Sequence, residues 1–287
     1  MTDVTDAVLG RMERLEWLMS QAAAAQGASA LVAEDLLLEE QIRKFGPTFL
    51  AKYNTHLFSQ AYEDAAISEI FARIGTRHKT FIEIGVEDGS ENTTRLLLML
   101  GWKGVWIEGN AGFYNRITDT FANEIASGQL QAIHAMAEPD TVQSLIDSAN
   151  LGPEVDLLSV DIDQHTSHVF RAIQTSARAA CVEYNAHFPP AVDYEVPYVP
   201  GAAWNGTNWF GASLKRLEVI AAGKDLSLVG CDLMGINAFF VRNDLTEDRF
   251  PKPFTAGHHY QPPRYQLIRP HRGHRKLSGE EARTMPR

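Results

Sequence analysis

The sequence predicts an α/β fold: a doubly wound, mostly parallel sheet with an antiparallel edge strand and an N-terminal helical appendage. Three observations carry this. From residue 80 onward, short apolar runs alternate with helix-like stretches, the order that builds parallel strands with crossovers on both faces. The last two apolar runs, "LSLVGCD" and "NAFFVRN", are separated by "LMGI" alone. That is too short for a helical crossover, so they pair as an antiparallel hairpin. Residues 5 to 44 lack this rhythm and instead repeat Leu9, Met12, Leu15, Leu18 and Met19 at three- and four-residue steps, the spacing of one helix face.

Residues 1–52 form the appendage. Alanines fill the stretch after Met19, favouring helix, and Gly27 and Ser29 are expected to divide it into two helices. Such an appendage packs on the main domain or on a partner subunit, which allows a homo-oligomer through these helices; a substrate-capping role is the alternative. "FGPTFL" breaks the chain, and "EDAAISEIFARIG" gives an amphipathic helix closed by Gly75 as its C-cap. The strands "TFIEIGV", "GVWIEGN", "LQAIHAM", "VDLLSVDID" and "AACVEYN" follow before the hairpin, and residues 53–245 make one domain. Residues 246–287 are a basic extension. From Arg264 onward it carries Arg269, Arg272, Arg275, Lys276, Arg283 and Arg287 against only Glu280 and Glu281, a composition suited to a solvated tail, a subunit bridge or an anionic-substrate contact.

Composition excludes several classes. The 45% hydrophobic content of 287 residues fills a sizeable core. A formal net charge of −10 argues against nucleic-acid binding, which calls for a basic surface. Two cysteines, Cys181 and Cys231, lie inside apolar runs, as in a reduced protein. No apolar run reaches membrane-span length. The opening "MTDVTDAVLGRMERLEW" lacks the order of a signal peptide, so a cytoplasmic location is expected.

In open α/β sheets the ligand sits beyond the carboxyl ends of the strands, where strand order reverses. The turn in "FIEIGVEDGSENTTRLLL" is therefore the place to look, and Gly85 and Gly89 give it backbone freedom. A dinucleotide loop would place glycines around a pyrophosphate, whereas "GVEDGSEN" presents acids that repel one. A cationic nucleoside such as S-adenosylmethionine fits that charge better. "GVWIEGN" then ends its strand on Glu108, placed to accept both ribose hydroxyls. The third strand leads to Ala135, Met136, Ala137 and Glu138, small and apolar enough for an adenine face. Gln60, Glu83, Gly85, Gly89, Ser90, Glu108 and Ala137 are thus the candidate cofactor-binding residues.

"DLLSVDIDQHTSH" puts Asp161 and Asp163 at the fourth strand's carboxyl end, and "AACVEYNAH" brings Glu183, Asn185 and His187 to the same rim. Asp161, Asp163 and Glu183 are candidate ligands for a hard divalent cation, Mg2+ or Mn2+; loop capping or direct contacts to cofactor and acceptor without metal are the competing reading. 

The blocks "LFSQAYED", "FIEIGVEDGSENTT", "GVWIEGN", "LLSVDID", "VEYNAHFPP" and "WNGTNWFGASLKRL…LSLVGCDLMGINAFFVRND" together resemble the FkbM-like S-adenosylmethionine-dependent methyltransferases of sugar and polysaccharide biosynthesis. The resemblance runs from about residue 54 to 245. It implies a Rossmann-like methyltransferase sheet, cofactor binding by Glu83, Gly85 and Glu108, and Asp161 between cofactor and acceptor. The chain departs from that family after "VDID", where relatives carry Gly-Asn-Asp and this chain has Gln164, His165 and Thr166.

Methyl transfer to a sugar hydroxyl needs the acceptor positioned and its proton removed, by a base, a metal, or both. Asp161, His165 and His187 are the catalytic candidates. "YVPGAAWNGTNWFGAS" offers an aromatic face and amides suited to a sugar, so Asn185, Trp204, Asn205 and Asn208 are candidate substrate contacts. A nucleoside- or sugar-binding subunit without chemistry, or a methyltransferase for a non-sugar small molecule, remains the alternative.

Overall fold

The computed structural model describes residues 2–53 and 55–265; the tail residues Arg269, Arg272, Arg275, Lys276, Glu280, Glu281, Arg283 and Arg287 lie outside the described residues. The chain divides into two compact units, Met1–Lys44 and Phe45–Arg287, so the boundary falls before residue 52.

The first unit is a single helix, α1 (Thr2–Phe45), running without interruption through Gly27 and Ser29. The expected break is absent. A glycine inside a helix costs only about 1 kcal/mol, and the Ser29 hydroxyl donates back to the Ala25 carbonyl at 3.1 Å instead of capping a new start. Met12, Leu15, Trp17, Leu18 and Met19 are exposed on it.

The second unit holds a seven-stranded sheet in the order β3-β2-β1-β4-β5-β7-β6. Its strands are β1 (Thr80–Ile84), β2 (Lys103–Glu108), β3 (Leu130–His134), β4 (Glu154–Val160), β5 (Ser176–Glu183), β6 (Leu226–Cys231) and β7 (Asn237–Arg242). The first five are parallel; β7 is antiparallel to both β5 and β6. The hairpin forms at the edge, as its short connection requires. The reversed strand β7 inserts beside β5, leaving β6 outermost.

Alternation along each strand splits the interior into two cores. Ile82, Ile84, Val105 and Ile107 face one side, where α6 (Val142–Ser148), α7 (Thr166–Ala172) and α8 (Leu214–Ala222) contribute Ile146, Phe170 and Leu217. Phe81 and Trp106 face the other, packed with Ile67 and Ile70 of α2 (Glu63–Ile74), Leu97 of α3 (Arg95–Met99), Ile117 of α4 (Ala111–Thr120) and Phe121, next to α5 (Ala122–Ala126). This is the doubly wound arrangement. Gly75 closes α2, its N–H bonded to the Phe71 carbonyl at 2.9 Å.

The start of the basic extension belongs to the domain. After α9 (Asn243–Thr246) come buried Phe250 and α10 (Ala256–His259). The Tyr184 hydroxyl donates to the Gln261 carbonyl at 2.7 Å and the Tyr260 hydroxyl to the Ala186 carbonyl at 2.6 Å. Cys181 and Cys231 are buried free thiols. Among the described residues no helix is long and apolar enough to cross a membrane.

Candidate active site

Strand order reverses between β1 and β4, and a cavity of about 760 Å³ opens there at the carboxyl ends of the parallel strands. Close packing of the two central strands shapes its floor. Gly85 follows β1 at φ +81°, and a Cβ there would stand 1.6 Å from the Asp161 carbonyl oxygen. The chain needs glycine at this position on both counts.

Glu83, one residue inside β1, is buried and organises the turn. It accepts hydrogen bonds from Asn92 Nδ2 (2.7 Å), the Thr93 amide (2.7 Å) and the Thr94 amide (3.1 Å). Burial pushes its pKa up while these donors pull it down. Glu108 ends β2 and pins the same turn from the other side. Its Oε2 accepts the amides of Val86 (3.1 Å) and Glu87 (2.9 Å), and its Oε1 that of Asn110 (2.7 Å). A carboxylate has about four lone-pair sites, so Glu108 keeps acceptor capacity toward the cavity it lines. Asn110 caps α4, accepting from Gly112 and Phe113. Phe113, Met136 and Ala137 add an apolar wall.

Gly89 and Ser90 do not line this cavity. Gly89 is a packing residue, since a Cβ there would meet Phe121 at 2.7 Å and Trp106 at 2.9 Å. The Ser90 carbonyl accepts from Arg95 at 2.9 Å.

Asp161, Asp163 and Glu183 all line the cavity. Asp161 and Glu183 are hydrogen-bonded to each other through their carboxyl groups. Burial, then Asp163, raises Asp161 to about 7, and burial together with Asp161 holds Glu183 well above the usual carboxylate range. Two carboxyls in contact at a cavity wall resist ionising together. Among the described residues no group of three acidic, histidine or cysteine side chains is arranged to hold a metal ion. The described residues therefore do not present the divalent-cation site expected at Asp161, Asp163 and Glu183.

His165 lines the cavity, yet it is buried at 5% exposure. Its Nε2 accepts the Val199 amide at 3.3 Å, which leaves the proton on Nδ1, and burial lowers its pKa. Its ring packs against Tyr198 at 4.9 Å. His187 is exposed, outside the cavity lining, with its ring 5.9 Å from that of Tyr265.

Among the expected substrate contacts, Trp204 lines the cavity while 46% exposed. The other three do not. Asn185 is fully buried, donates from Nδ2 to the Asn208 and Phe210 carbonyls (2.9 Å each) and accepts the His187 amide. It fastens the loop that carries Trp204. Asn205 closes a turn on Thr207, and Asn208 serves through its carbonyl. Amides near a turn satisfy local backbone first, which sequence composition does not reveal.

Gln60 also lines the cavity, with Glu63 and Asn237 beside it. Sequence reading missed the last two. Asn237 donates to Glu63, 174 positions away in sequence, at 2.7 Å, and Glu63 is presented by Tyr62 at φ +71°. Asp64 holds that turn by accepting the amides of Leu57, Phe58 and Ser59. The "YED" triplet was the available signal. Carboxyl side chains line the cavity from Glu63 to Glu183, and among the described residues neither lysine nor arginine lines it.

No family model matches the sequence, and no curated protein matches it. Solved structures similar to it include the N-terminal domain of EvdMO1 with SAH bound, at 13% identity and TM-score 0.41, covering 67% of this chain and 82% of that one. Magnesium protoporphyrin IX methyltransferase (ChlM) from Synechocystis PCC 6803 with bound SAM is 12% identical with TM-score 0.38, over 63% of this chain and 78% of that one. The METTL16 MTase domain is 14% identical with TM-score 0.33, over 42% of this chain and half (50%) of that one. Likenesses this distant carry no argument for an activity; the site's own residues must.

Proposed function

We propose that this chain is an S-adenosylmethionine-dependent O-methyltransferase of FkbM-like type, acting on a hydroxyl of a sugar, glycan or glycosylated metabolite. One observation carries the cofactor: among the described residues, a cavity at the sheet's switch point is lined by carboxyl groups without a lysine or arginine. Such a lining repels the pyrophosphate of a dinucleotide and favours a ligand bearing sulfonium and ammonium charges. Glu108 has one acceptor site left for a ribose hydroxyl, and Phe113, Met136 and Ala137 suit an adenine face. When bound, S-adenosylmethionine supplies an electrophilic methyl group on a sulfonium sulfur.

The acceptor reading rests on Trp204, whose exposed face suits the CH surface of a sugar ring, and on the ordered sequence blocks. Asp161 is the base this geometry favours. Asp161 would take the proton of the acceptor hydroxyl as that oxygen gains the methyl group. Glu183 stabilises Asp161 in either state through their shared hydrogen bond. His165, with Nε2 already accepting a backbone amide, contributes packing.

Calorimetry with S-adenosylhomocysteine, followed by label transfer from methyl-labelled S-adenosylmethionine to a panel of sugars and non-sugar alcohols, tests the reading. Binding with transfer to a sugar hydroxyl supports it. No binding removes the cofactor, and transfer confined to non-sugar alcohols removes the acceptor class.

A further inference from the structure

Asn237 begins β7, lines the cavity and is 4% exposed. Its backbone is fixed, since it is the register partner of Glu183 on β5 and its amide donates to Asp232. One edge of its side chain is committed as well. Nδ2 donates to Glu63 Oε1 at 2.7 Å, and Glu63 Oε2 takes the Ala61 amide at 2.8 Å. Burial raises the Glu63 pKa, while these two bonds lower it. Glu63 is also the first residue of α2, where free backbone amides favour an ionised carboxyl. The nitrogen edge of the Asn237 amide therefore belongs toward it.

Oδ1 is the other edge. No group among the described residues donates to it, yet it is not one of the sealed, partnerless polar atoms, as Asn92 Oδ1 is. An unbonded oxygen that keeps accessible surface on a cavity-lining residue faces the cavity. It only accepts, so its ligand brings a donor. Glu63 and Glu183 beside it disfavour an anionic ligand.

The register places this oxygen relative to the chemistry. Val160 pairs with Val182 and Glu183 with Asn237, so Asp161, Glu183 and Asn237 form a row across β4, β5 and β7. Asp161 and Glu183 meet through their carboxyls. Asp161 and Asn237 are two strand spacings apart, about 10 Å along the sheet, and their side chains shorten that span from both ends. A sugar ring with one hydroxyl at Asp161 covers it with another.

We infer that Asn237 Oδ1 accepts a hydrogen bond from a second hydroxyl of the acceptor, which makes the substrate a polyhydroxylated ring rather than a lone alcohol. Asn237 is then the residue that selects which ring position reaches Asp161, and Glu63 is the positioning residue that orients its amide. This inference rests on the methyl-transfer reading above and adds the acceptor's second point of attachment.

The test is a cycle between protein and substrate, run on the full chain. The probes are methyl glycosides of the common hexoses, followed by the monodeoxy analogues of the best one that keep the methylated hydroxyl. Label transfer gives kcat/KM for each. In wild type one analogue is expected to be slower than its parent by about 10–100-fold, the cost of leaving a buried acceptor unpaired. Asn237→Ala should slow the parent and shrink that one penalty to about threefold or less, since no oxygen is left unpaired. The penalties at other ring positions should stay as they were. A residue that merely supported the fold would slow every substrate alike. S-adenosylhomocysteine affinity by calorimetry should match wild type and reports that the variant is folded. An unchanged pattern of penalties in Asn237→Ala overturns the inference. So does a wild type indifferent to every deoxy position, a result that needs no variant. Absence of transfer from wild type to any glycoside is a different result: it overturns the acceptor reading, and this inference with it.

Discussion

Gly85 and the Asp161 carbonyl oxygen stand so close that a methyl group on Gly85 would lie 1.6 Å from that oxygen. The contact joins the two strands between which sheet order reverses, so the cavity floor and the fold's centre are one feature. The Asp161 amide in turn donates to the Ile84 carbonyl at 3.0 Å, locking the tips together.

Gly85→Ala is expected to destabilise the domain by about 2–5 kcal/mol, combining overpacking against backbone with a left-handed conformation that L-residues resist. Urea unfolding followed by circular dichroism measures it. A change below 1 kcal/mol would show that the strand tips separate readily.

Glu108→Ala is expected to weaken S-adenosylhomocysteine binding by on the order of 1–3 kcal/mol, through the lost ribose acceptor and the released amides of Val86 and Glu87. Glu108→Gln should recover part of this, because an amide oxygen still accepts. Calorimetry on both variants checks the order wild type, Gln, Ala; equal affinity in all three removes Glu108 from the cofactor.

Much of this was legible in the sequence, for physical reasons. Strand period, crossover lengths and the short "LMGI" connection dictate the sheet, and placing Glu83, Gly85, Glu108 and Asp161 at strand ends puts them on one rim. What could not be read were long-range pairings and local satisfactions. Nothing local says that Asn237 reaches Glu63, that Asp161 meets Glu183, or that Asn185 spends its amide on the 208–210 loop. Gly27 looked like a break because propensity is a weak prior that a long helix overrides.

Among the described residues no acidic triad is arranged for a cation, so methyl transfer is expected to survive exhaustive chelation. The measurement is turnover after dialysis against a chelator, with and without added magnesium or manganese. Loss of activity restored by either ion would reinstate the metal.

Stability should fall as pH rises through the range where Asp161 titrates. Its carboxyl is raised to about 7 in the fold from a reference value of 3.8, so between those values the folded chain holds a proton that the unfolded chain has released. Stability therefore decreases from about pH 4 to about pH 7 on this group's account. Asp161→Asn removes the titration and relieves Glu183 of its nearest charge. Relative to wild type, the variant's thermal midpoint should be higher at pH 8, and this advantage should shrink toward pH 4. A constant offset at every pH would mean that Asp161 is not raised.

The same value sets the rate profile. If Asp161 takes the hydroxyl proton, its ionised form is the active one, and single-turnover methylation should rise with pH through about 7. Histidine would give a similar limb, so the profile alone does not discriminate; the variants do. Asp161→Asn should cut kcat by roughly 10²–10⁴-fold with S-adenosylhomocysteine affinity nearly intact. His187→Ala should leave the rate unchanged, since His187 lies outside the cavity lining. His165→Phe should keep the pH limb even where it alters KM, because the His165 Nε2 is occupied by the Val199 amide. Loss of the limb in His165→Phe, with its persistence in Asp161→Asn, would move the base to the histidine.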